Sequence, residues 1–276
     1  MENQVLGLEW FRNVVIFPFR FFSRDFRVVA EKEVTNFVRD PALFAQIFMI
    51  GAIIFVYFFN LKVMPLKDIP TLYSGEINDS MVYFNGPFIG FILSAMCMRF
   101  VYPSISLEGR AFWAVKASPM NPSRLISIKY FLYLWPTLVV GLILCLVSNS
   151  VFRVTQPIIM WVSYLNVILM AIVISALAVG VGAIYSRFDI DNPLKIAGSF
   201  GGFVFMIFCS IYIVNLLAFE AYPAWRLYLF RFYPKVNGLD IFLLMLSFLS
   251  LLVCSAFWAL IPLWKGMEKI KRYEPE

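Results

Sequence analysis

The chain has 276 residues, of which 61% are hydrophobic, 18% aromatic and only 14% charged, with 23 Lys and Arg against 17 Asp and Glu. A soluble domain carries about 25% charged residues, so a globule of this composition would leave apolar side chains across its outside. An ordinary soluble enzyme, a disordered tail and a disulfide-stapled secreted domain are excluded, which leaves an integral membrane protein.

The N-terminal segment interleaves Trp10, Phe11, Val14, Val15, Phe19 and Phe22 with Arg12, Arg20, Arg24 and Arg27. This pattern over Glu9–Asp40 predicts a helix lying in the membrane interface, bent or split at Pro18. A first transmembrane span at Val5–Phe22 is the alternative, and it would bury Glu9, Arg12 and Arg20. No signal peptide is expected, because acidic residues come early and no small-residue cleavage site follows a short apolar core.

A bilayer core needs roughly 20 apolar helical residues to cross it. Six stretches qualify: Leu43–Asn60, Tyr83–Tyr102, Tyr130–Val147, Pro157–Tyr185, Ile196–Phe219 and Leu239–Trp264. Of the 23 Lys and Arg, 17 fall in the N-terminal segment, the loops after spans two and four, and the tail. The positive-inside rule then places both termini in the cytoplasm of a cell membrane protein. The expected organisation is an interfacial region at 1–40, a six-helix domain at 41–264 and a cytoplasmic tail at 265–276.

The middles of the six spans hold no Asp, Glu, Lys or Arg, which disfavours an ion-coupled secondary transporter. Arg99, Lys129, Lys195 and Asp240 sit at span ends, where long side chains are expected to snorkel toward water. Polar groups at depth, such as Asn166, Ser175 and Asn215, read as helix-helix hydrogen bonding or as substrate contacts. Small residues spaced four apart, Ala176 with Gly180 and Ala178 with Gly182, and the glycines Gly198, Gly201 and Gly202, predict close helix packing, with a moving hinge as the second reading.

There is no His, and the four cysteines fall inside apolar runs, so neither a metal centre nor a disulfide framework is expected. The sequence has no GxSxG, no HExxH and no Walker A GxxxxGK[ST]. Asp189 and Asp191 form a DxD, which would suit metal-assisted lipid chemistry but is better explained as a solvated loop before Asn192-Pro193. Any energy source is therefore expected in another chain, with no catalytic residue or cofactor in this one.

The loop Pro103–Arg124 has an apolar side formed by Leu107, Ala111, Trp113, Ala114 and Val115. It predicts a short helix capped by Ser104 or Ser106 and stopped by Pro119 and Pro122. Phe112 and Trp113 on such a loop are either tucked against the bilayer or docked on a partner. Loop Glu220–Gly238 holds Trp225, Tyr228, Phe230, Phe232 and Tyr233 with three basic residues, an interfacial aromatic belt in its simplest reading.

Residues Ile105–Tyr130, which run ISLEGRAFWAVKASPMNPSRLISIKY, resemble the segment after the second span in permeases of the ABC-2 exporter type. There a Ser-x-Glu-Gly-Arg, an aromatic pair and a Ser-Pro precede a Lys at the next span. Glu31–Asn60 is similar to that group's entry into its first span, and Val179–Gly202 to its join between spans four and five. The resemblance covers most of Glu31–Gly202 in order; beyond Phe203 only hydropathy agrees. Longer relatives of that group carry such a block as their C-terminal half, so the resemblance implies a half-size subunit or one piece of a larger permease.

The resemblance implies an all-α polytopic membrane protein: an amphipathic interfacial helix, then six transmembrane helices. It implies the permease subunit of an ATP-driven exporter, paired with a second six-helix unit, identical or different, and with a cytoplasmic P-loop ATPase that binds ATP and Mg. Glu108, Gly109, Arg110, Phe112 and Trp113 would form the helix coupled to that ATPase, the charged pair fixing register and the aromatics anchoring. Arg187, Asp189 and Asp191 would make a second contact, and short re-entrant helices would occupy 220–238. Lipids are the remaining expected partner and nucleic acid is not expected. A membrane-embedded lipid-modifying enzyme using Asp189 and Asp191 is the rival from another class.

Overall fold

In the computed structural model, the described residues are 23–39, 41–63, 74–112, 117, 120–154, 156–189, 192–230 and 238–272. The first part of the expected interfacial segment, with Trp10 through Phe22, lies outside them. The ordered elements are α1 (Arg24–Arg39), α2 (Pro41–Val63), α3 (Ser74–Phe100), the 3-10 turns η1 (Tyr102–Ser104) and η2 (Ser106–Ala111), α4 (Pro122–Val151), α5 (Pro157–Ile184), α6 (Pro193–Ala197), α7 (Phe200–Phe230) and α8 (Gly238–Arg272). Among the described residues there is no strand, and six of these helices are long and apolar enough to cross a membrane. The structure is thus an all-helical one consistent with a multi-pass membrane protein.

The helices of the first, third and sixth spans extend beyond both ends of the apolar cores that the sequence marks, because flanking residues continue the helix hydrogen bonding, whereas α5 matches its core to within one residue. Asn-Pro starts one span, α4, and the short α6. Asn121 accepts from Ser123 N–H at 3.1 Å ahead of Pro122, and Asn192 accepts from Leu194 N–H at 2.9 Å ahead of Pro193. An Asn at the N-cap satisfies an orphan donor, and Pro at the first helical position gives up an N–H that had no partner there. Four spans carry an internal proline, at Pro87, Pro136, Pro223 and Pro262. In the bilayer the absence of competing water keeps such helices continuous around the lost bond.

One expectation fails for that reason. Neither a loop nor short re-entrant helices fill 220–230, because α7 runs through Pro223 to Phe230. Residues 231–237 of that stretch lie outside the described residues.

α5 is the axis of the bundle, contacting α3, α4, α7 and α8. Its residues from Val173 to Ala183 are all buried, which small side chains make possible. A Cβ on Gly180 would lie 2.5 Å from the Pro262 carbonyl carbon of α8, and one on Gly266 would lie 2.9 Å from the Gly180 oxygen. A Cβ on Gly182 would run into the Tyr102 carbonyl oxygen. Close packing, the favoured reading of these glycines, is what they do: backbone meets backbone without a side chain between. Among the described residues, interhelical hydrogen bonds include Asn85 with Tyr57 and Asn149 with Ser163.

α2 and α8 form the rim. They expose Phe48, Phe55 and Phe59 and, on α8, Phe242, Met245, Leu249, Phe257 and Leu260, the surface that a bilayer covers.

Candidate functional site

One end of the bundle gathers α1, the elbow η1–η2, the α5–α7 connection and the C-terminal turns of α8. Ser106 Oγ accepts from Arg187 N–H at 3.0 Å, the Tyr102 and Ser199 hydroxyls are 3.4 Å apart, and Lys269 donates to the Ile184 carbonyl. Phe112 stacks on Phe188 with ring centroids 4.8 Å apart. The two contact segments that the sequence treats separately are therefore one unit.

The expected single short helix is not formed there. Two short 3-10 turns stand in its place, broken at Gly109, whose φ of 55° and ψ of −145° suit a residue without a Cβ. Neither serine caps a turn: Ser104 Oγ donates to the Val101 carbonyl at 2.6 Å, and Ser106 is taken up by Arg187.

At the centre of this end lies Lys129, wholly buried on α4. The sequence places it at a span end with its ammonium snorkelling to water; instead it turns inward. Its Nζ donates to Glu33 Oε1 at 2.7 Å, Glu108 Oε1 at 2.6 Å and the Ser104 carbonyl at 2.6 Å. An ammonium has three donors, and here each goes to a different element: α1, η2 and η1. The outer oxygens are also taken. Lys32 donates to Glu108 Oε2, and the Tyr133 hydroxyl donates to Glu33 Oε2 at 2.5 Å.

Two lysines and two glutamates make a neutral group, which is the condition under which buried charge is tolerated. Below it, Thr137 Oγ1 donates to the Tyr133 carbonyl at 2.8 Å and lies 3.6 Å from Cys97 Sγ on α3. A rim pair, Asp25 with Arg124 at 3.0 Å, ties α1 to the start of α4 a second time.

The candidate residues separate accordingly. The Glu108 side chain is only 2% exposed and faces the bundle, so its carboxylate holds the elbow from within. Phe112 is buried as well, against Phe188. Gly109 is the kink. The Arg110 side chain, Trp113 and Asp191 lie outside what is described. Arg187 and Asp189 are exposed, 3.7 Å apart, on the rim of the same unit. Among the described residues no group of three His, Cys, Asp or Glu is placed to hold a metal.

The residues that sequence reasoning missed are Lys32, Glu33 and Tyr133, and Ser104, singled out as a cap, serves instead through its carbonyl. A signal existed: Glu31-Lys32-Glu33, Glu108 and Lys129 are charges of both signs at the same membrane face, in a chain that is short of charge.

A family described as "Putative ATP-binding cassette" matches residues 3–274. No curated protein and no solved structure matches the chain. The family match corrects the resemblance to ABC-2 exporter permeases, since the matching family is another one. With it falls the reading of this chain as a permease subunit of that exporter type. The expectation of a non-enzymatic chain that leaves ATP hydrolysis to a separate subunit falls too, because the family is described by the ATP-binding cassette itself. The rival readings, a lipid-modifying enzyme or a secondary transporter, gain nothing from the match. The match does not rest on a Walker A loop, for the sequence has no GxxxxGK[ST] and the described residues have no strand to precede one.

Proposed function

Because the chain belongs to the ATP-binding cassette family that matches it from residue 3 to residue 274, we propose that it is a membrane-embedded component of an ATP-linked transport system whose moving part is the elbow. The observation that carries this reading is the Lys129 hub. One ammonium on a span is bonded to α1, η1 and η2 together, so displacement of the elbow must be felt by the span. Bundles respond to such displacement by rigid-body rocking, since packed helices deform poorly.

The charge distribution supports an orientation with the hub and both termini in the cytoplasm, where ATP is found. On this reading residues 1–40 lie along the interface, 41–264 span the membrane and 265–276 form a cytoplasmic tail. The exposed rim carrying Arg187 and Asp189 is the surface offered to a partner chain. Glu108, Gly109 and Phe112 set the shape of that surface from beneath, and Arg110, Trp113 and Asp191 belong to the same segments by sequence.

The test uses the purified full chain, alone and with whatever P-loop protein accompanies it, in sealed vesicles. Photolabelling with an ATP analogue locates nucleotide, and ATP-driven flux of a fluorescent hydrophobic probe reads transport. Lys129→Met is expected to keep nucleotide labelling and lose ATP-driven flux. Flux equal to that of the unaltered chain, or flux indifferent to ATP, would overturn the reading.

A further inference from the structure

α7 and α8 run antiparallel and meet along one line. Phe208 and Trp258 pack edge to face with ring centroids 6.0 Å apart, and the Tyr212 and Ser255 hydroxyls lie 3.1 Å apart about one turn further along. Each helix carries a flank beside that line, spaced three or four residues apart as neighbours on a helix face are. On α7 the flank is Phe200, Val204 and Phe208; on α8 it is Trp258 and Ile261. All of these side chains are half-exposed or exposed. The two flanks leave a shallow apolar groove on the outer wall of the bundle, continuous with the lipid-facing surface of α8 at Leu260 and Trp264.

At the elbow end the α8 flank turns basic. Trp258 and Ile261 are followed on the same flank by Lys265, Lys269 and Arg272, all exposed. These basic residues occupy about 10 Å of helix, enough to pass through a headgroup layer of about 5–7 Å. They do not belong to a loose tail, since Ile270 is 1% exposed and Gly266 packs against Gly180. Lys269 donates to the Ile184 carbonyl and keeps two N–H groups to give. Ile184 leads directly into Tyr185, whose ring lies 6.0 Å from that of Phe200, so the basic row and the α7 wall of the groove share one level. Residues 265–272 hold four basic side chains and one acid, Glu268, which pairs with Arg272. At the opposite end of α8, Asp240 is engaged with Arg226, so the excess of positive charge belongs to one end only.

From this arrangement we infer that the groove between α7 and α8 holds an anionic glycerophospholipid, its phosphodiester against Lys265, Lys269 and Arg272 and an acyl chain along the Phe208–Trp258 line. The occupant must be apolar over the length of the groove and negative at one end, which describes a membrane lipid and not a soluble anion. Lys and Arg both bind phosphate, Arg through its fork and Lys as a point charge. A zwitterionic lipid brings an ammonium or choline that three neighbouring cations repel, so the preference is for a headgroup of net negative charge. Spreading basic residues over a cytoplasmic face needs no such alignment; here they follow the flank that lines the groove. The inference rests on the chain lying in a membrane and stands whether or not ATP drives it.

The experiment is fluorescence quenching of the full chain in nonionic detergent, titrated with phosphatidylglycerol or phosphatidylcholine whose acyl chains carry bromine. Subtracting the signal of Trp258→Phe isolates the quenching at Trp258. Phosphatidylglycerol is expected to half-quench Trp258 at a mole fraction about tenfold lower than phosphatidylcholine, since each basic side chain at an anionic surface is worth about fivefold. Lys265→Gln combined with Arg272→Gln should lose most of that preference. Arg27→Gln, a basic residue exposed on α1, should keep it. Equal quenching by the two lipids overturns the site, as does an unaltered preference in the double variant. A loss in Arg27→Gln as large as in the double variant also overturns it, because the charges then act as a diffuse surface. Quenching of other tryptophans but not of Trp258 leaves the chain a membrane protein and overturns the groove. Should Trp258→Phe not fold, native mass spectrometry of the lipid retained by the unaltered chain and by the double variant reads the same preference, and its absence overturns the site.

Discussion

Replacing Lys129 by Met would strand Glu33 and Glu108 beside one remaining cation, the half-exposed Lys32. Breaking a buried ion pair by removing one partner leaves an uncompensated charge and destabilises by about 3–5 kcal/mol. Denaturation in mixed detergent should register that loss for Lys129→Met, and Lys129→Met with Glu33→Gln should recover part of it. The two changes share a contact and so are not additive. At Gly182 the issue is space. A methyl group there meets the Tyr102 carbonyl oxygen, which belongs to the backbone and cannot swing aside. Gly182→Ala should cost about 1–3 kcal/mol, as overpacked cores do. Gly51→Ala, where a Cβ meets nothing within 4 Å, should stay within about 0.5 kcal/mol of neutral.

Among the elements, η2 is the one whose shape depends on a single residue. Gly109→Ala puts a Cβ on a backbone with φ of 55° and ψ of −145°, a conformation nearly confined to glycine, at about 1–3 kcal/mol. The strain falls between Glu108 and Phe112, so the hub and the Phe112–Phe188 stack should be displaced relative to each other. Steady-state quenching between a probe at Asp189→Cys and one on α1 should then change, while far-UV helix content stays the same. A pair distance unaltered by Gly109→Ala would show that the elbow is set elsewhere.

The spans were legible in sequence because twenty consecutive apolar residues state their own case. Their ends were less so: α3 begins at Ser74, ahead of the apolar core that starts at Tyr83, and α7 runs on through Pro223 to Phe230. Lys129 was legible as a charge at a span end but not as a hub: Glu33 is 96 positions away and is brought to it only by the fold of α1 onto α4. Glu220 was read as the edge of a loop, because nothing local announces that α7 continues ten residues beyond it.

For the whole molecule, the elbow, the 185–199 connection and the end of α8 share one face, and the connection at 152–156 lies at the other end of α4 and α5. Labelling of Asp189→Cys and Arg153→Cys in intact cells and in inverted vesicles checks the orientation. Asp189→Cys should react with a membrane-impermeant maleimide only in inverted vesicles, and Arg153→Cys only in cells. The native thiols at Cys97, Cys145 and Cys209 are buried and should contribute little background.

The most apolar span, α5, is also the one that meets the least lipid. Its hydropathy therefore serves insertion: α5 can enter the bilayer alone and be enclosed by its neighbours afterwards. Once enclosed, it should be blind to membrane thickness, and a thinner bilayer would be felt at the outer helices α2 and α8. Acyl-chain length should accordingly tune how these two tilt around an axle that does not itself sense the solvent.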